Sequence, residues 1–140
     1  MKHILTSILT AALSCLSMAG ETHDHGHSHA EIKVPATVPE LRSGIATQQK
    51  VLAGALVARD AMAAHTATDL LVAYVGAIPG KLPATDEATL QRVTGMANNA
   101  AKAWGAAAHA AEDGDFEKAG REKARGDAAY GLLEARLPKD

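Results

Sequence analysis

The chain of 140 residues contains a single cysteine, Cys15. One thiol builds no disulfide framework, no thiolate metal cage and no C-x-x-C redox pair. Aromatic residues are equally scarce at 3% of the sequence, confined to Tyr74, Trp104, Phe116 and Tyr130, so any core must be made largely from small aliphatic side chains. Charge of one sign is lacking too. The formal net charge is −2, with acids and bases mixed along the chain, which leaves no electrostatic footprint for nucleic acid or for an anionic membrane. H-E-x-x-H, C-x-x-C-H, a P-loop and a dinucleotide glycine fingerprint are all missing, and no residue set suggests catalysis, so the expectation is a protein that is not an enzyme. A b-type haem held by Met62, Met96 and a body histidine is disfavoured, because nothing places a Met and a His opposite each other on core faces.

The apolar stretch from Ile4 to Leu16 is too short to cross a membrane, which takes about 20 residues. It follows the basic start Met1-Lys2-His3 and precedes small residues at Ser17 and Ala19, the pattern of a secretory signal peptide cleaved near Ala19. The competing reading, a lipoprotein anchored at Cys15, fits less well because Leu13 stands one position away from where a lipidation signal has its leucine. Export to the periplasm, with Cys15 removed, is the expectation.

Three segments follow: residues 1–19 as signal peptide, 20–36 as a polar tail, and 37–140 as a folded body. The tail is too poor in apolar residues to bury anything and reads as disordered. The body is rich in alanine and lacks strand-like alternation, so it reads as all-α. Thr37 to Glu40 forms a capping-box pattern with Pro39 in the first turn, opening a helix to about Ala58 with Leu41, Ile45, Leu52 and Leu56 on its apolar side. Asp60 caps a second helix striped by Ala63, Ala67, Leu70, Leu71, Tyr74 and Ile78. The proline- and glycine-bearing stretch GAIPGKLPATDE is a connector. Thr85 or Asp86 opens a third helix with Leu90, Val93, Ala97, Ala100, Trp104, Ala108 and Ala111 along one side. Asp115 caps the last, which carries Phe116, Ala119, Tyr130, Leu133 and Leu137, is interrupted by Lys123 and Gly126, and ends at Pro138. Short connections make sequential helices antiparallel neighbours, so the expected architecture is an up-down-up-down four-helix bundle. Its core should be thin, and dimerisation through an exposed stripe stays open.

What the sequence does have is histidine. ETHDHGHSHAE, residues 21–31, places His23, His25, His27 and His29 at every second position, with Asp24 between the first two. In an extended strand such second neighbours stand about 7 Å apart, too far for one ion. Gly26 and Ser28 let the chain bend, bringing imidazoles to the roughly 2.0–2.1 Å that zinc–nitrogen bonds require. Imidazole suits zinc, copper, nickel and cobalt; without thiolates the binding is exchangeable rather than a closed structural site. Asp24 is a further candidate ligand, and Glu21 and Glu31 add negative potential or oxygen donors. Cleavage one residue later, after Gly20, creates a different site: a free amine on Glu21 with His23 in third place, which can wrap Cu(II) or Ni(II) in square-planar nitrogen coordination. The alternative is that the tract is incidental and the body is a helical interaction module.

His65 and His109 raise the idea of a bridging site on the body. Counted from the turns near residues 59 and 114 they lie at similar heights; counted from the connector they lie about 15 Å apart. Both point away from the apolar stripes and are expected to be solvated. Neither helix carries E-x-x-H, so a di-iron carboxylate centre is unsupported.

HDHGHSH after a signal peptide, the TVPEL capping segment, KLPATDE before the third helix and AAEDGDF before the fourth together resemble the small exported His-rich, alanine-rich helical proteins of proteobacteria. Some of those are found alongside heavy-metal efflux systems. The resemblance implies divalent-metal handling in the periplasm, with an efflux or metal-handling protein as partner, and carries over only His23, His25, His27 and His29.

Overall fold

The computed structural model describes residues 32–138. The expected signal peptide, Cys15 and the histidine tract lie outside the described residues. Within them the chain is all-helical and has no strand: α1 (Val38–Ala58), α2 (Ala61–Ala77), a short 3-10 turn at Pro79–Lys81, α3 (Glu87–Glu112) and α4 (Phe116–Glu134).

Side-chain caps set where the helices begin. The Thr37 hydroxyl accepts from the Glu40 amide while the Glu40 carboxylate accepts from the Thr37 amide at 3.0 Å, completing the reciprocal box read in the sequence. The Thr37 hydrogen bonds hold the Glu40 carboxyl below its ordinary value, against a smaller opposing effect of desolvation. Asp60, Asp86 and Asp115 each accept at 2.9 Å from the amide three residues on, and so cap α2, α3 and α4. The ends are equally local. Arg59 adopts the left-handed conformation at φ 56°, and the amides of Arg59 and Asp60 return to the carbonyls of Leu56 and Ala55. Gly114 does the same at φ 78°, where a Cβ would be strained, as α3 gives way to α4.

Packing runs between chain neighbours, closest for α3 on α4, while α1 meets α4 only sparingly. Leu41, Ile45, Leu52 and Leu56 are buried along α1, as their spacing predicts. On α2 the buried line is Ala64, Ala67, Thr68, Leu71 and Val75; Ala63, Leu70 and Tyr74 are only half-buried. Leu90 is a correction: it is 38% exposed rather than core. It belongs to the opening turn of α3, where Glu87 and Ala88 are exposed as well and burial begins only at Val93. Phe116 is half-buried too, with the Arg59 guanidinium carbon 6.0 Å from its ring centroid. The last helix stops at Glu134, earlier than the proline suggests, yet Leu137 in the following turn stays buried.

Ala97, Ala100, Ala103, Ala107, Ala108, Ala110 and Ala111 are all buried on α3, so its interior is lined by methyl groups. Trp104 is the exception, a fully buried indole among them. It sits against Gly126 of α4, with its ring centroid 5.9 Å from that of Tyr130. Gly126, which looks like a gap in the α4 stripe, is itself buried and is the socket that receives the indole. Lys123 belongs to the same arrangement through its ion pair with Asp127.

Candidate functional site

His23, His25, His27, His29 and Asp24, the ligands expected from the sequence, lie outside the described residues. On the body, two polar clusters hold helices together. The first centres on Asp127 of α4. Its Oδ1 accepts from the Trp104 indole N–H and from the Gln49 amide, each at 3.0 Å, and its Oδ2 pairs with the Lys123 ammonium at 2.5 Å. One half-buried carboxylate thus ties α1, α3 and α4 across the side where α1 and α4 touch least. Trp104 can be fully buried because its only polar atom has this partner. Asp127→Ala is expected to cost about 1–3 kcal/mol, the penalty for stranding a buried donor, read as a lower denaturation midpoint with unchanged helical content. An unchanged midpoint would show that the network contributes nothing.

The second cluster joins α2 and α3. Glu112, the last residue of α3, meets His65 Nδ1 at 2.5 Å through Oε1 and His109 Nδ1 at 3.3 Å through Oε2. His65 Nε2 lies 3.4 Å from Asp69 Oδ2, one turn further along α2. Burial works to raise the Glu112 carboxyl, but hydrogen bonds from His109 and His65, with their charges, outweigh it and leave the group below its ordinary value. Glu112 is therefore an anion at neutral pH. This shared carboxylate shows that counting from the turns, not from the connector, gives the right heights for the two histidines. It also corrects the expectation of two solvated rings: the His109 side chain is 78% exposed, but that of His65 is 36% exposed and held between two acids. Sequence reasoning passed over Glu112, although its place three residues after His109 on one helix was a legible cue.

Other groups offer less chemistry. Burial, and next the Glu134 charge, push the Tyr130 phenol up to about 12, so it holds its proton across the physiological range. A surface hollow beside Thr37, Val38, Lys81, Pro83 and Pro138 has no carboxylate or imidazole in its lining. Among the described residues no group of three or more His, Cys, Asp or Glu side chains is placed to hold a metal ion, and no helix is long and apolar enough to cross a membrane. No family model matches the chain, nor does any curated protein or solved structure.

Proposed function

We propose that this chain is an exported, periplasmic binder of divalent transition metal, taking zinc, copper, nickel or cobalt reversibly on the imidazoles of His23, His25, His27 and His29, with Asp24 as an auxiliary ligand. The observation that carries this reading is the tract itself: four histidines within seven residues, close behind the cleavage site expected near Ala19. The body then serves as a non-enzymatic carrier in an up-down-up-down arrangement, for which the tight turns at Arg59–Asp60 and Asp113–Asp115 are the support. Such a protein buffers metal or passes it to a periplasmic efflux or metal-handling partner.

Removing residues 21–30 from the exported protein tests this directly. The expected outcome is a fall in bound metal per chain and a loss of the metal tolerance the intact protein gives its host. Unchanged stoichiometry together with unchanged tolerance would leave the helical interaction module as the better reading.

A further inference from the structure

We propose that His65 is a proton-operated brace between the α1–α2 pair and the α3–α4 pair. Doubly protonated, it ties Glu112 and Asp69 together; on losing its second proton it loosens the joint between α2 and α3. The inference goes beyond the metal-binding reading and needs neither the histidine tract nor a metal ion.

The position of the contact gives it leverage. Residues 79–86 connect α2 to α3 and carry Pro79, Gly80 and Pro83. The two pairs meet chiefly through α2 on α3, because α1 meets α4 only sparingly. His65 stands early in α2 and Glu112 closes α3, so their contact lies at the ends of both helices furthest from the connector. A bond placed there opposes separation of the pairs with the longest arm. Gln49 to Asp127 and Arg42 to the Pro138 carbonyl also cross between the pairs. Their donors, an amide and a guanidinium, keep their protons throughout the physiological range. In the His65–Glu112 contact the donor itself titrates near neutrality.

The surroundings of the ring decide how many protons the brace uses. Nδ1 lies 2.5 Å from Glu112 Oε1, and Nε2 lies 3.4 Å from Asp69 Oδ2. Carboxylates only accept. A neutral imidazole has one N–H and can serve one acid, leaving its other nitrogen to set a lone pair against the second; the imidazolium has two and serves both. His109 approaches the far oxygen of Glu112 at 3.3 Å, and Asp113 follows Glu112 in the turn. Asp60 is turned toward the α2 amides, accepting from Ala63. α1 packs on the other side of α2: its Gly44 lies against Tyr74, which at about 100° per residue stands opposite His65. α4 packs on α3 and on α1.

The brace is strongest with an imidazolium between two carboxylates. Rising pH, through the ordinary histidine value of about 6.5, removes the second proton and weakens it. On the acid side, burial works to raise Glu112, but the hydrogen bonds from His109 and His65 leave it below its ordinary value, so it stays charged until pH falls through that lower value. The joint is therefore tightest in mildly acidic solution and looser in alkaline solution. Solvent screening keeps the effect modest, since the side chains of His65, Asp69 and Glu112 are 36%, 33% and 42% exposed.

Urea unfolding of the full mature chain at pH 5.8 and pH 8.5, beside His65→Gln, Glu112→Gln and His109→Ala, tests the brace, with circular dichroism verifying that each variant folds. His65→Gln keeps a donor but takes up no second proton. At pH 5.8 the parent's folding constant is expected to exceed that of His65→Gln by about threefold, and the gap should close at pH 8.5. Glu112→Gln should show the same closing gap, whereas His109→Ala should retain the parent's pH dependence. Amide hydrogen exchange, corrected for intrinsic rates, should show severalfold less protection at pH 8.5 in the first two turns of α2 and the last turn of α3, a change absent from His65→Gln. A stability gap that is the same at both pH values, or protection that falls equally in His65→Gln, overturns the proposal.

Discussion

Replacing Trp104 by alanine is expected to cost about 3–5 kcal/mol, the usual range when a large aromatic is deleted from a core that cannot collapse around the hole. Here collapse is especially difficult. The indole is fully buried, and the other α3 residues in its core cluster are Val93 and the alanines Ala97, Ala100, Ala110 and Ala111, whose methyl groups have no length with which to reach into the space. Gly126, opposite on α4, has no side chain at all. The substitution also takes a hydrogen-bond donor from Asp127, leaving Gln49 and Lys123 to satisfy that carboxylate. A domain of this size is stable by only about 5–15 kcal/mol, so the variant should unfold at much lower denaturant concentration and lose cooperativity near physiological temperature. Far-UV circular dichroism against urea measures it. A midpoint within experimental error of the parent's would mean that the alanine-lined helices hold without the indole.

Gly126→Ala should also destabilise, although glycine to alanine within a helix ordinarily gains about 1 kcal/mol in propensity. A Cβ built on Gly126 stands 2.5 Å from Trp104 Nε1 and closer still to Cδ1, well inside contact distance. The indole cannot swing away freely, because it is fully buried, lies against Tyr130 and is bonded to Asp127 through that same nitrogen. Overpacking of this kind costs about 1–3 kcal/mol, outweighing the propensity gain. At roughly 4–8 °C per kcal/mol, the melting temperature should fall by several degrees. Trp104 is the only tryptophan, so its emission should shift as the ring is displaced. A higher melting temperature with unchanged emission would show that α4 can retreat from α3 without cost.

Much of this fold was legible in the residues, for reasons that are local. Thr37, Asp60 and Asp115 announce helix starts because capping needs only a short side chain and an amide three residues on. Leu41, Ile45, Leu52 and Leu56 stand out because α1 mixes leucine with charge. Where alanine fills both faces the signal fails. α3 packs on α2 and on α4, so its buried arc is wide and includes Ala103, Ala107 and Ala110, which no periodicity separates from the exposed Ala-rich background. Gly126 and Lys123 read as defects because a socket and a network carboxylate's partner have meaning only beside Trp104 and Asp127. The meeting of His65 with Glu112 depended on helix heights that two ways of counting placed differently, and only the three-dimensional arrangement chose between them. The histidine tract presents the reverse case, since its argument is compositional and its residues lie outside those the structure describes.

The most direct test of the central claim is calorimetric titration of the exported protein with Zn(II) at pH 7.5 and pH 5.5, beside the chain carrying serine at positions 23, 25, 27 and 29. Ligating imidazoles must be neutral, and with an ordinary histidine value of about 6.5 each loses roughly tenfold in neutral fraction over this interval, so a complex using two of them should weaken about 100-fold. The account predicts that loss in the parent protein, and at pH 7.5 a marked drop in bound zinc for the serine chain. Equal zinc uptake by both proteins, or parent affinity that does not change between the two pH values, would contradict it.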